Sequence, residues 1–274
     1  MLKKILKYDL KAVYKYWWIG AVVIVAVSIV SSFCLPPLTV EEPKTPAVIV
    51  GVIDIVFSIL SVSAFYILIE ILVFSHFYRN LFTDQGYLTF TLPLKRSEIL
   101  NSKLITSIVT MLSTIIVITV AVSGVVFITL KKEIFTPELV KEVSDFFKEF
   151  TKVDYLSFVL LIIEIIITAF LSLVFSSLFM FTCITIGAII TRKNKLLASI
   201  GIYFAANSIF STILSIMYMC GIPSAIQWLD NVNEKHFDTA FLLIGLLIII
   251  ALSVLCTIMY TIQLYLSDKK LNLV

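Results

Sequence analysis

Six long apolar stretches, separated by short polar segments, set the pattern of the chain. A helix needs ~20 apolar residues to cross a hydrocarbon core of about 30 Å, and each stretch approaches or exceeds that length. We therefore predict an all-α integral membrane protein with six transmembrane helices. The predicted spans are approximately Tyr16–Leu35, Ala47–Phe77, Leu104–Leu130, Tyr155–Ile190, Leu196–Cys220 and Ala240–Ser267. The second and fourth stretches are longer than a typical span, so we expect them to tilt, kink or project from the membrane.

Lysine and arginine residues in the flanks predict the orientation of the spans. The flanks on the side of both termini carry about twice as many basic residues as the opposite flanks. Basic residues are retained on the cytoplasmic side of a membrane. We therefore expect both termini in the cytoplasm and a multi-pass position in a plasma membrane, that of a bacterial cell.

Two amphipathic helices accompany the spans in this prediction. Before the first span, apolar residues recur at steps of three and four while lysines occupy the other face. This pattern predicts a helix in the cytoplasmic interface, with Trp17 and Trp18 as anchors at the water–lipid boundary. A straight cytoplasmic extension of the first span is the alternative. On the extracellular side, between spans three and four, Thr136-Pro137 and the apolar stripe after it predict a second amphipathic helix over 137–150, resting on lipid or on protein.

The segment before the sixth span is short and irregular in composition. Gly221–Asp238 contains a glycine, a proline and a tryptophan. We interpret it as a short interfacial or re-entrant segment.

The composition supports the membrane class. Of the 274 residues, 60% are hydrophobic and 14% are charged, whereas a soluble domain is about half apolar and about a quarter charged. No linker divides the chain, so we predict one transmembrane domain over residues 1–274. The net charge of +3 is too small to indicate binding to nucleic acid. We expect the cysteines to be free thiols that act as small apolar residues, with a bridge between Cys34 and Cys220 as the alternative.

Motifs for nucleotide binding or catalysis are missing from the sequence. None of the glycines belongs to a G-x-x-x-x-G-K-[ST] loop, and there is no H-E-x-x-H sequence. The only histidines, His76 and His236, fall on opposite sides of the predicted membrane, so they cannot share a metal site or a catalytic set. We therefore predict no catalytic residue, no metal site, no cofactor and no enzymatic activity in this chain.

Three acidic residues, Asp54, Glu70 and Glu164, lie inside the predicted spans. A carboxyl group at the bilayer centre costs at least about 2.5 kcal/mol on insertion scales, so it usually faces protein or water. Each could line a translocation path or serve as a structural acid, and we favour the structural role for Asp54. Asp54 and Glu70 are about 24 Å apart along one helix and on nearly opposite faces, so they do not form one site. Asn207 and Gln263 are interpreted as interhelical hydrogen-bonding residues.

The most distinctive segment connects the second and third predicted spans. Asp84-Gln85-Gly86 indicates a turn, Leu92-Pro93 ends whatever precedes it, and Ser97-Glu98 predicts the cap and first turn of a new helix. The residues in between are largely apolar although they lie outside the membrane core. An apolar segment outside the membrane core is typical of a docking surface for a soluble partner. A segment that only packs on its own helices fits the residues equally well.

This segment resembles the corresponding loop of the permeases of type-two ABC exporters, in which a glycine-containing turn precedes a short cytoplasmic coupling helix. The matching residues are Gly86, Leu92-Pro93, Lys95-Arg96, Ile99-Leu100 and Lys103. The order of elements along the whole chain is also similar. The family often has Gly-Thr-x-Glu at the turn, whereas this chain has Gly86-Tyr87-Leu88-Thr89, so the glutamate and its polar contact with the ATPase are missing.

The resemblance implies a permease subunit that pairs with a second permease chain, identical or related, and with two soluble ABC ATPase chains. ATP and Mg would bind in the ATPase, and the coupling helix would pass its movement to the spans. The residues expected to contact the ATPase are Thr83, Asp84, Gln85, Gly86, Tyr87, Leu88, Phe90 and Leu92. Few charges face the membrane interior, which suits an amphipathic cargo such as a peptide or a lipid-like molecule.

Two other functions are compatible with the sequence. A proton- or sodium-coupled secondary transporter would use Glu70 or Glu164 and would often contain paired broken helices. A non-transporting membrane sensor or immunity protein would act by binding alone. A Walker-motif ATPase encoded beside this chain would favour the exporter over both.

Overall fold

The computed structural model describes residues 2–34, 45–83, 86, 95–130, 141, 155–191, 194–230 and 237–269. These residues form six long α-helices and no strand. The helices are α1 (Leu2–Cys34), α2 (Thr45–Phe82), α3 (Arg96–Leu130), α4 (Tyr155–Ile190), α5 (Lys195–Asp230) and α6 (Phe237–Lys269). All six are long and apolar enough to cross a membrane, which confirms the six predicted spans and fits a multi-pass membrane protein.

The helices are longer than the apolar stretches that predicted them. They contain 33 to 38 residues, which corresponds to about 50–57 Å at 1.5 Å per residue. A hydrocarbon core is only about 30 Å thick. Each helix is therefore long enough to cross such a core with residues to spare.

The N-terminal segment is helical, but it is not a separate element. The α1 helix runs without a break from Leu2 to Cys34, so the predicted interfacial helix that turns into the first span is not confirmed. Residues 2–16 contain no glycine or proline that would end a helix. The segment therefore continues directly into the span.

The end of α5 also differs from the prediction. The helix continues through Gly221 and Pro223 to Asp230, where an interfacial or re-entrant segment was expected. Prolines are tolerated inside membrane helices because neighbouring groups satisfy the freed carbonyl, so the Ile-Pro pair does not stop this helix. The predicted amphipathic helix over 137–150 lies outside the described residues except for Lys141, which is helical.

The chain divides into two compact units. The first comprises Met1–His76 and Ile105–Lys148, and therefore α1 with most of α2 and α3. The second comprises Phe77–Leu104 and Glu149–Val274, and therefore the end of α2, the start of α3 and helices α4 to α6. A single domain over the whole chain stays a prediction.

In the first unit, one face of α1 is buried at steps of three and four residues. Its buried residues include Asp9, Val13, Trp17, Ala21 and Ile24. The indole N–H of Trp17 donates a hydrogen bond of 2.9 Å to the Thr114 hydroxyl of α3. Gly20 leaves room for a ring of α2, since a Cβ at this position would lie 2.5 Å from Phe65. Polar and small residues thus fix α1 against both neighbours.

In the second unit, α4 packs against α5 and α6. Its C-terminal half holds the core, because every residue from Met180 to Thr185 is buried. A backbone contact joins α4 to α5 at Gly187, where an added Cβ would overlap the backbone of Ser199. Cys183 and Cys256 are buried free thiols, as predicted. The side chains of Cys34 and Cys220 lie outside the described set.

Candidate functional site

The last two turns of α2 are fixed to α4 by an aromatic stack. Phe77 is only 1% exposed. Its ring lies parallel to that of Phe181, with centroids 3.9 Å apart and an interplanar angle of 6°. Phe82 packs on Tyr78 one turn before it, at a centroid distance of 5.9 Å. Aromatic pairs add about 0.5–1.5 kcal/mol beyond the area that they bury, so this end of α2 is firmly held.

Just beyond α2 the backbone at Gly86 lies so close to the helix that only a glycine fits. The Gly86 amide donates a hydrogen bond of 2.7 Å to the Thr83 carbonyl. A Cβ at Gly86 would lie 2.5 Å from the carbonyl oxygen of Leu81 and 2.8 Å from its carbon. Any side chain here would therefore collide with the backbone of the last helical turn.

Only two of the eight residues predicted to contact an ATPase are described. Thr83 is exposed, whereas Gly86 is buried and helical. The other six lie outside the described residues: Asp84, Gln85, Tyr87, Leu88, Phe90 and Leu92. The structure therefore defines the two ends of the loop.

The start of α3 lies slightly earlier than the sequence predicted. The Lys95 carbonyl accepts hydrogen bonds from the amides of Glu98 and Ile99, at 2.9 and 3.3 Å. Because these are the first bonds of the helix, Lys95 occupies the capping position instead of Ser97. Glu98 lies in the first turn as predicted, where its negative charge suits the helix dipole.

The start of α3 is bonded to α6. The Arg96 guanidinium donates to the Ser267 carbonyl, one of the last carbonyls of α6, which is the usual position for a cation at a helix C-terminus. One turn further on, the Tyr260 hydroxyl donates a 2.9 Å hydrogen bond to the Asn101 side chain. Leu104 packs against the core formed around Leu178. Both ends of the loop are thus attached to α4 or α6.

The three intramembrane acids occupy different environments. Asp54 is half-buried and accepts a 3.1 Å hydrogen bond from the Ser31 hydroxyl. Glu70 is half-buried and hydrogen-bonds to Tyr66, one turn before it on α2. Asp54 and Glu70 share one unbroken helix, so about 24 Å separates them along its axis.

Glu164 belongs to the second unit and lies against α6. A Cβ at Gly245 would overlap the Glu164 carboxylate. This glycine therefore provides the space in which the carboxylate sits beside the α6 backbone. The contact fits a structural role for the acid in helix packing.

The tryptophans and amides have divergent surroundings. Trp17 is buried against α3, whereas Trp18 is 61% exposed. The anchoring role stays a prediction, and Trp18 has the exposure that it requires.

Gln263 forms the predicted interhelical bond, since its amide donates to the Thr185 hydroxyl at 2.8 Å. Asn207 is exposed.

The structure also reveals two polar features that the sequence reasoning missed. Asp9 and His76 form a contact of 3.3 Å between α1 and α2. The buried face of α3 is rich in hydroxyl groups, including those of Thr106, Thr110 and Thr114. The hydroxyls of Thr110 and Thr114 each donate to the carbonyl four residues earlier. The repeat of hydroxyl residues at four-residue steps could have predicted the buried face of α3. Nothing local in the sequence predicts the contact between Asp9 and His76.

Among the described residues, no group of three or more His, Cys, Asp or Glu side chains could hold a metal ion. The chain was compared with family models, curated proteins and solved structures, and none of them matches.

Proposed function

We propose that this chain is the permease subunit of an ATP-driven exporter of the ABC type, and that the loop 83–92 contacts a separate ATPase chain. The observation that carries the proposal is the attachment of the loop ends to helices α4 and α6. Phe77 stacks on Phe181 of α4, and Arg96 bonds to the last turns of α6. A force applied to the loop would therefore act directly on membrane-spanning helices.

The loop also has the composition of a docking surface. Tyr87, Leu88, Phe90 and Leu92 are apolar residues beside a glycine turn, in a segment that the charge distribution predicts to be cytoplasmic. Aromatic residues dominate the binding energy of many interfaces, with about 2 kcal/mol or more for a hot-spot residue. The resemblance to the coupling loop of type-two exporter permeases supports the same assignment.

Coupling to ATP needs a difference in contact energy. An ATPase drives the permease only if its ATP-bound form binds one permease conformation better than the other. The proposed contact supplies that difference through the loop, and the attached helices α4 and α6 carry the change into the membrane. ATP and Mg bind in the partner, and a second permease chain completes the complex in a bacterial plasma membrane with both termini cytoplasmic. The proposed cargo is an amphipathic peptide or a lipid-like molecule.

Co-purification tests this proposal. The tagged protein is extracted gently from its native membrane, and its partners are identified by mass spectrometry. The test variant replaces Tyr87, Leu88 and Phe90 by alanine but keeps Gly86, because that glycine is needed by the turn itself. Phe33→Ala is the matched control, since Phe33 is an aromatic residue with 80% exposure at the far end of α1.

The expected result is a Walker-motif ATPase that accompanies the wild type and the Phe33 variant and is lost from the triple variant. Retention of helical circular dichroism by the triple variant excludes misfolding as the cause. The proposal fails if no ATPase is recovered under conditions that preserve other membrane complexes. Proton or sodium dependence through Glu70 and Glu164 would then be the next measurement.

A further inference from the structure

An apolar groove of about 750 Å³ lies within the first unit, between α1, α2 and α3. Its walls are mainly isoleucine and valine side chains, among them Ile24, Ile55, Ile59, Ile118 and Val122. Ligand sites of this type typically enclose about 300–1,000 Å³ and combine apolar walls with a few polar groups. The size and lining of the groove therefore suit a single small molecule.

The groove follows the helix axes, and Asp54 lies in its wall. On α2 its lining extends from Asp54 to Ile67, a length of about 20 Å at 1.5 Å per residue. Asp54 is at one end, which the charge distribution predicts to be nearest the outer face of the membrane. Among the described residues, the rest of the lining consists of uncharged side chains. This arrangement matches a molecule with an apolar chain and a polar head.

The hydroxyls beside Asp54 are arranged as donors toward it. The Ser31 hydroxyl donates to Asp54 Oδ1 at 3.1 Å. The hydroxyl oxygens of Ser31 and Ser58 are 2.7 Å apart. A hydroxyl has a single hydrogen, so Ser31 is the acceptor in its bond with Ser58. The chain of bonds runs from Ser58 to Ser31 to the carboxylate, which is therefore the acceptor of the cluster.

The carboxylate keeps unfilled acceptor capacity. Asp54 Oδ2 is covered and has no hydrogen-bond partner among the described residues. By contrast, the hydroxyls of Ser28 and Ser63 in the same wall bond to carbonyls of their own helices. A buried polar atom without a partner is costly in an apolar environment. Asp54 itself lines the groove, so its carboxylate borders the space into which a hydrogen-bond donor would enter.

We propose that this groove binds a single-chain amphiphile whose head is a primary ammonium group, with the apolar chain between the three helices and the head on Asp54. The negative charge at the end of the groove requires a positive, hydrogen-bond-donating head. The three helices are long and apolar enough to cross a membrane, and a hydrocarbon core offers no water to occupy the apolar part of the groove. The inference goes beyond the exporter proposal, because the groove lies within the first unit and its binding needs no ATPase.

Binding of radiolabelled hexadecylamine to the purified, detergent-solubilised full chain tests the proposal, without any ATPase present. Hexadecanol, hexadecanoic acid and phosphatidylethanolamine serve as unlabelled competitors. Asp54→Asn should weaken hexadecylamine binding about tenfold to hundredfold, as expected for loss of a hydrogen bond to a charged group. Glu164→Gln is the matched control, since it removes an intramembrane acid in the second unit, and it should leave binding unchanged.

A second pair of variants tests the location of the chain. Ser63→Phe should block binding, because Ser63 lines the groove and bonds only to its own helix. Ser61→Phe should not, because this neighbour on α2 is not part of the lining and bonds only to Phe57.

Competition between ligands for the wild-type protein tests whether the groove selects an ammonium head, even if a variant does not fold. Hexadecylamine should compete at least tenfold better than hexadecanol or hexadecanoic acid. Equal competition by the three chains would overturn the role of Asp54. Stronger competition by phosphatidylethanolamine would replace the proposal with a site for a two-chain membrane lipid.

Discussion

The contact between α4 and α5 at Gly187 provides the sharpest test of the packing in the second unit. A Cβ at Gly187 would overlap the Cα of Ser199 and lie 2.6 Å from its amide nitrogen. These are backbone atoms, so a change of side-chain rotamer cannot relieve the overlap. The Gly187→Ala substitution must therefore move α5 away from α4, and it also lengthens the 3.0 Å hydrogen bond from the Ser199 hydroxyl to the Ile184 carbonyl.

Two opposing contributions determine how much Gly187→Ala changes the free energy of unfolding. An extra methyl group in a well-packed core costs about 1–3 kcal/mol. Alanine is also the better helix former by about 1 kcal/mol relative to glycine. Gly201 is the matched control, since it lies on α5 with no atom within 4 Å of an added Cβ. Both substitutions gain the stabilisation from the higher helix propensity of alanine. The difference between their free energies of unfolding therefore measures the cost of the overlap alone.

The measurement is the free energy of unfolding in mixed detergent micelles, obtained by titration with a denaturing detergent. We expect Gly187→Ala to be less stable than Gly201→Ala by about 1–3 kcal/mol. Gly187→Ala combined with Ser199→Gly should remain destabilised, because the overlap is with the backbone. Equal stability of the two alanine variants, or full rescue by Ser199→Gly, would refute the close approach of α4 and α5.

Three further predictions use the same unfolding assay. Phe77→Ala should lower the free energy of unfolding by about 3–5 kcal/mol and Phe77→Leu by less, because the buried ring fills space in the aromatic stack; equal losses would contradict the stack. Thr185→Val should lower the free energy of unfolding by about 1–3 kcal/mol, because it leaves the buried Gln263 amide without its partner. Gln263→Leu should be close to neutral, because it also removes an oxygen that has no partner among the described residues. A larger loss for Gln263→Leu than for Thr185→Val would contradict this bond. Trp17→Phe and Thr114→Val should each cost about 0.5–1.5 kcal/mol, and the double variant should cost less than the sum of the two, whereas strict additivity would show that the 2.9 Å bond contributes nothing.

The loop between α2 and α3 illustrates how far the sequence alone describes the candidate site. Its position follows from local signals, since a glycine turn and a proline break stand between two apolar stretches. Its attachment does not, because the partners are distant in the chain. Arg96 and Ser267 are separated by 171 residues and Asn101 and Tyr260 by 159. No local pattern encodes such pairs.

The spans themselves were determined by the sequence. Crossing a hydrocarbon core depends on the length and hydrophobicity of one segment, and both are properties of a continuous stretch of residues. The helix ends were less predictable, as α1 and α5 show. A helix continues for as long as nothing in its surroundings ends it, and Pro223 did not end α5.

Only the tertiary structure decided which residues face protein. Most residues in these spans are apolar, so hydrophobicity alone does not separate the buried face of a helix from the face toward lipid. Trp17 is buried and Trp18 is exposed although they are adjacent in one apolar stretch. The close approach of Gly187 to Ser199 and the groove beside Asp54 arise in the same way. They depend on the shapes of facing helices, which no single segment of the chain contains.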